Sequence, residues 1–164
     1  AMADYVIERR LWLARRRPEV FGFFADPKNL VALHPEWARP RWLVEPPDRL
    51  DAGAVLDFSV AVAGFRVRWR VMVREFDPPF RFVDVQLRGP FARWEHRHRF
   101  LEGPEAEGRG PVGTWMEDRI TYRLPWGPLG QAAHALGAGG RITALFEFRE
   151  APDRDRAFAE PTGR

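Results

Sequence analysis

The sequence predicts an α+β fold: a curved antiparallel sheet of about seven strands wrapped round a long C-terminal helix, with two short helices after the first strand. Three observations predict it. Apolar and polar residues alternate through segment after segment between Arg41 and Leu124, separated by Gly- and Pro-containing turns. Short turns join antiparallel neighbours, whereas a parallel pair needs a crossover of about a dozen residues. After Pro125 the apolar spacing changes to that of a helix, and an amphipathic helix is the cover that the apolar face of such a sheet requires.

Taken in order, Tyr5 to Leu13 alternates as a first strand, with Tyr5, Ile7, Arg9 and Leu11 on one face. Pro18 suits the first turn of a helix carrying Val20, Phe21, Phe23 and Phe24, which Asp26-Pro27 stops. Asn29 is placed to cap a second short helix, Leu30 to Leu33, ending before Pro35. Strands follow at Arg41 to Val44, from Gly53 through Ala63, and, after a Gly64 turn, at Phe65 to Phe76. Pro78-Pro79 leads to Phe80 to Leu87, and Gly89-Pro90 to Phe91 to Leu101. A Gly- and Glu-rich loop, Glu102 to Pro111, precedes Val112 to Leu124. The closing helix runs from Leu129 to Arg149, weakened or kinked at Gly137, Gly139 and Gly140, since a mid-helix glycine costs about 1 kcal/mol relative to alanine. Residues 4–151 are read as a single ligand-binding domain and 152–164 as a polar C-terminal tail that Pro152 sets off.

Composition narrows the class. The chain has 164 residues, 45% of them hydrophobic, which suits one domain with a sizeable core. No apolar stretch approaches the roughly 18 residues needed to span a bilayer. The first residues, Ala1-Met2-Ala3-Asp4, lack the basic and then apolar run of a secretory signal. Without cysteine there is no disulfide framework, thiolate nucleophile or thiolate metal site, and these absences point to the cytoplasm. The net charge is +3, and Lys28 is the only lysine among 26 basic residues.

The last three strands carry the chemistry. Phe80, Phe82, Asp84 and Gln86 share one face; so do Trp94, His96, His98 and Phe100; so do Thr114, Met116, Asp118, Ile120, Tyr122 and Leu124. The opposite faces hold Glu95, Arg97, Arg99, Glu117, Arg119 and Arg123 and are read as solvated. If the Gly89-Pro90 turn sets Gln86 opposite Trp94, then Asp84 faces His96 and Phe82 faces His98, and the following loop brings Asp118 near His96 or His98. This Asp-His-Asp row is sensitive to register, because a one-residue slip turns every side chain to the other face.

Three readings of the row compete. It can be a structural network in which histidines satisfy buried carboxylates. It can orient an otherwise apolar guest. It can also hold a metal ion, or supply a general base in His96 or His98 oriented by Asp84 or Asp118. Since His-x-His also arises by chance, no metal and no cofactor is assigned. No Gly-x-Ser-x-Gly, phosphate loop or His-Glu-x-x-His motif occurs, which favours a binder over an enzyme. The expected lining is Trp69, Phe82, Asp84, Gln86, Trp94, His96, His98, Met116, Asp118 and Tyr122. Arg66, Arg68, Arg70 and Arg74 form a basic row that is a candidate for nucleic-acid or protein contact. Interleaved Glu95 and Glu117 argue instead for a solvated face, so nucleic acid is not the expected partner.

Several stretches together resemble the SRPBCC superfamily of START-like and Bet v 1-like helix-grip proteins. They are Phe24-Ala25-Asp26-Pro27-Lys28-Asn29-Leu30, Phe82-Val83-Asp84-Val85-Gln86, Gly89-Pro90-Phe91, Trp94 to Phe100, Gly113 to Asp118 with Tyr122, Leu124 and Pro125, Gly127 to Gly130, and Phe146 to Arg149. The likeness spans nearly the whole chain and is nearest to bacterial members labelled polyketide-cyclase-like or cell-division-inhibitor-like. It implies an apolar cavity between sheet and C-terminal helix that takes a lipid-, sterol- or polyketide-like molecule. In a minority of members it implies cyclase or dehydratase activity. No catalytic residue is common to the superfamily, so a role does not transfer with the fold.

Overall fold

The computed structural model describes residues 2–30, 33–34, 36–62 and 64–147. Its strands are β1 (Tyr5–Leu13), β2 (Arg41–Trp42), β3 (Val55–Val62), β4 (Phe65–Asp77), β5 (Arg81–Arg88), β6 (Arg93–Ala106) and β7 (Arg109–Arg123). They form one antiparallel sheet of seven strands in the order β1-β7-β6-β5-β4-β3-β2. Each strand from β2 to β7 lies beside its sequence neighbour, and β1 closes against β7 along its whole length, from Tyr5 opposite Tyr122 to Leu13 opposite Thr114. Register shifts between Arg70 and Val71 and between Val73 and Glu75 interrupt the β4–β5 ladder. Such bulges bend a sheet and strengthen its twist.

Helix α1 (Arg17–Phe24) carries Pro18 in its first turn, where the missing N–H has no intrahelical partner to lose. It buries Val20, Phe21 and Phe24. Phe21 meets Phe76, Phe82 and Phe100 with ring centroids 5.2–5.7 Å apart, which ties the helix to β4, β5 and β6. Burial of each such ring is worth about 1.5–3 kcal/mol.

Two expectations change, the cap at Asn29 and the loop between β6 and β7. Of the expected second short helix, Leu30 to Leu33, residues 31 and 32 lie outside the described residues; 3-10 turns occur at Pro27–Leu30 and at Glu36–Ala38. Asp26, not Asn29, caps the first turn, accepting from the Lys28 amide at 2.9 Å, while the Asn29 side chain donates to the Phe23 carbonyl at 3.0 Å. The expected loop from Glu102 to Pro111 is mostly ladder, because β6 and β7 stay paired as far as Ala106 and Arg109. Two indoles secure that extension: Trp12 Nε1 donates to the Gly103 carbonyl at 3.0 Å, and Trp115 Nε1 to the Pro104 carbonyl at 2.9 Å. As expected, the closing helix is interrupted where its glycines lie, into α2 (Pro128–Ala133), one π turn (His134–Ala138) and α3 (Gly139–Glu147). Gly137 sits at φ 128°, a conformation that strains residues bearing a Cβ and interrupts the helix. The expected end of this helix at Pro152 lies outside the described residues.

Pairing of Val62 with Phe65, Arg70 with Arg88, Arg93 with Arg123 and Tyr5 with Tyr122 puts the β3–β4 turn, the β5–β6 turn and the exit of β7 at one end of the sheet. Gly113 illustrates how tightly β1 and β7 meet, since a Cβ there would lie 2.4 Å from the Leu13 carbonyl oxygen and 2.5 Å from the Trp12 ring. Because one obstacle is backbone, Gly113→Ala is expected to cost about 1–3 kcal/mol, as overpacking does. Thermal denaturation checks it, with a fall in Tm of roughly 2–4 °C per kcal/mol.

Candidate functional site

β5, β6 and β7 present the expected row. Asp84 lies opposite His96 and Phe82 opposite His98, and Asp118 lies opposite His98 on the other side. The rings stack along the sheet interior: Trp94 meets His96 edge-on at 5.6 Å, His96 lies 3.8 Å from His98, and His98 lies 4.0 Å from Phe82. His96, His98 and Asp118 are buried, and Asp84 is half-buried. His96 Nε2–H donates to Asp118 Oδ1 at 3.0 Å, which fixes the tautomer. His98 Nδ1 is 2.8 Å from the same oxygen but out of line for a hydrogen bond, and His98 Nε2 is 3.5 Å from Asp84 Oδ2, so both contacts are electrostatic.

The two imidazoles titrate in opposite directions. Burial, reinforced by the charge of its neighbour His98, lowers His96 to about 4. Burial pulls His98 down as well, but the carboxylates of Asp118 and Asp84 outweigh it and raise the group above its ordinary value. Of the two rings, His98 is the one whose surroundings favour a proton and His96 the one whose surroundings resist it, as expected of rings too close for both to be cations. Asp84, His96 and His98 also bring ligand atoms within 4.8 Å of one another. A zinc-like ion needs each nitrogen lone pair aimed at it in the ring plane from about 2.0–2.1 Å. Rings stacked with a tilt of 31° send those lone pairs nearly side by side, so the geometry suits a held proton better than an ion.

Other expected lining residues share this interior. Trp69, Phe82, Trp94, Met116 and Tyr122 are buried, with Trp69 and Trp94 edge-to-face at 5.2 Å. Among the described residues neither indole N–H finds an acceptor. Gln86 has a different task from the one its face suggested. Its Nε2 donates to the Phe91 carbonyl at 2.7 Å, and its Oε1 accepts from the Phe91 amide at 3.3 Å, so the side chain braces the β5–β6 turn. Phe80, expected beside Phe82, is exposed, with the Arg17 guanidinium 4.5 Å over its ring.

A second polar group was missed from sequence. The Tyr122 hydroxyl and His134 Nε2 are hydrogen-bonded at 2.7 Å, and Tyr5 stacks on His134 at 3.6 Å. Burial, with Tyr5 beside it, raises Tyr122. The contact depends on Gly139, where a Cβ would lie 2.6 Å from the His134 ring. The available signal was a lone histidine directly before the glycine-rich interruption of a helix.

The outer arginine row exists, but carboxylates are threaded through it. Arg68 holds Asp57 through two contacts, keeping that carboxyl below its usual range. Glu95, expected in solvent, is buried between Arg74 (2.9 Å) and Arg97 (2.7 Å). Burial raises its carboxyl, but the two guanidinium groups prevail and hold it low. Glu117 joins Arg10 and Arg99, and Glu8 joins Arg119.

The family model described as polyketide cyclase / dehydrase and lipid transport matches residues 13–145. The chain belongs to that family, within the SRPBCC superfamily. Solved structures agree on the helix-grip fold. TTHA0849 from Thermus thermophilus has a TM-score of 0.68 at 18% identity, over 94% of this chain and 98% of that one. SA2116 from Staphylococcus aureus, titled a protein of unknown function, has a TM-score of 0.67 at 9% identity, over 96% and 95%. Norcoclaurine synthase from Thalictrum flavum has a TM-score of 0.60 at 14% identity, over 92% and 99%. At such identities the likeness carries the fold. No curated protein matches the chain. The polyketide cyclase and lipid transport family is one whose proteins handle hydrophobic molecules, and no helix among the described residues is long and apolar enough to cross a membrane.

Asp118→Asn tests the charge arrangement of the interior. Breaking a buried pair costs on the order of 3–5 kcal/mol, to be read from urea denaturation at neutral pH. In NMR titrations the His98 pKa should fall in the variant. In the parent chain, His98 stabilises the fold fully below its unfolded pKa of about 6.5, and that contribution is lost as pH rises through the higher folded value. His96 acts in the opposite sense, weakening the fold as pH drops from about 6.5 towards 4.

Proposed function

We propose that the chain binds a small hydrophobic or aromatic molecule, lipid-, sterol- or polyketide-like, between the concave face of the sheet and the C-terminal helix. The observation that carries this reading is the pair of buried indole N–H groups of Trp69 and Trp94, which among the described residues have no acceptor. A buried donor left unpaired costs about 1–3 kcal/mol, and an oxygen-bearing aromatic guest would relieve it. Trp69, Phe82, Trp94, Met116 and Tyr122 then form the apolar wall, with Asp84, His96, His98 and Asp118 as the polar end. Membership of a lipid-transport and polyketide-cyclase family supports the same reading.

The geometry weighs against His96 or His98 as a general base in a cyclase or dehydratase. A base must reach the substrate proton at roughly 2.6–3.2 Å or through one water, and both rings are buried between carboxylates and aromatic rings. Alternating charges on the outer face likewise weigh against nucleic acid, which is recognised through unopposed basic groups.

Two bicyclic probes of the same frame, α-tetralone with a carbonyl and tetralin without one, test the proposal by thermal shift and native mass spectrometry. Tetralone should bind the more tightly. Trp69→Phe and Trp94→Phe should each weaken tetralone by roughly 2- to 10-fold, the worth of one neutral hydrogen bond, and leave tetralin unchanged. Failure of both probes to bind would sink the reading.

A further inference from the structure

We propose that the end of the sheet carrying the β3–β4 turn, the β5–β6 turn and α2 docks on an anionic lipid bilayer. The first observation is an uncharged stretch on the surface. Between Trp126 and Gly140 there is no Asp, Glu, Lys or Arg. Its large apolar side chains face solvent: Trp126 is 79% exposed, Leu129 76% and Leu136 88%. The hydrogen bond from Tyr122 to His134 holds the stretch at this end of the sheet. At the same end, the cross-strand pair Val62 and Phe65 projects beyond the core, with Phe65 75% exposed.

Trp126 adds an independent argument. It has neither burial nor backbone preference in its favour, because its φ of 67° lies in the left-handed region that a bulky residue adopts only under strain. An exposed, strained tryptophan beside leucines is accounted for by a headgroup interface, where indoles settle with one edge wet and one dry.

Charge selects the occupant. Arg70 and Arg88 face each other across β4 and β5, and both are exposed. Asp57, whose charge reaches both, is already held by Arg68. Arg39 and Arg66 lie alongside, the Arg66 guanidinium donating to the Arg39 carbonyl at 2.8 Å. Asp4 is held by Arg93 and Arg123 at 2.7 Å each. A second copy of the chain would bring arginine against arginine, whereas anionic headgroups complement this rim. The inference goes beyond the ligand reading and does not depend on what the interior holds.

Sedimentation of the ligand-free protein with vesicles tests it. The protein should pellet with phosphatidylcholine vesicles containing about 30% phosphatidylglycerol, more weakly with phosphatidylcholine alone, and less in roughly 0.5 M salt. Trp126→Gly should cut binding severalfold while its Tm stays level or rises as the backbone strain is released. Arg70→Gln and Arg88→Gln should each reduce affinity for the anionic vesicles about fivefold. Equal binding to both vesicle types, or none to either, would overturn the proposal. A concentration-dependent dimer that Trp126→Gly abolishes, without vesicle binding, would assign the surface to a second copy instead.

Discussion

Asp118 is a buried carboxylate, and an uncompensated charge in such a place costs several kcal/mol, so the fold is committed to bringing basic groups to it. His96 and His98 come from β6, two residues apart, and a two-residue period is what places both on the inner face. Asp84 arrives from β5 on the other flank of His98. A slip of one residue in either ladder would turn these side chains outward and leave Asp118 alone, so the polar row penalises wrong registers in a way that its apolar neighbours cannot. Phe82 and Trp94 then complete a column of rings whose order follows from that register.

The two faces of the sheet solve opposite problems. Inside, two imidazoles and two carboxylates form one polar row among aromatic neighbours. Outside, arginines and carboxylates alternate across strands, from Glu8 and Arg119 on β1 and β7 to Asp57 and Arg68 on β3 and β4. Exposed pairs of this kind contribute at most about 1 kcal/mol each. The partly buried ones, at Glu95 and Asp57, also fix side chains against the sheet. The uncharged segment from Trp126 to Gly140 departs from both patterns, being apolar and yet exposed.

Much of this was legible in the sequence. Alternation of period two identified the strands, and the Gly89-Pro90 turn set Asp84 opposite His96 because hairpin pairing is a matter of counting outward from the turn. Gln86 escaped the same logic, since a face assignment says where a side chain points and not that the backbone of Phe91 would claim its amide. Glu95 was read as solvated because its neighbours were charged; only the three-dimensional approach of Arg74, from a strand two positions away, buries it. His134 was invisible for a similar reason. Its partner Tyr122 lies across a turn, and the space it fills exists because Gly139 lacks a Cβ.

The near-absence of lysine bears on how the molecule responds to its surroundings. Guanidinium groups do not lose their proton in any ordinary solution, so the cationic half of the outer lattice is constant from neutral to strongly alkaline conditions. Lys28 is the single lysine of the chain. The outer guanidinium charges thus stay constant around the coupled pair His96 and His98, whose opposed shifts give the interior a response to pH that the arginine lattice lacks.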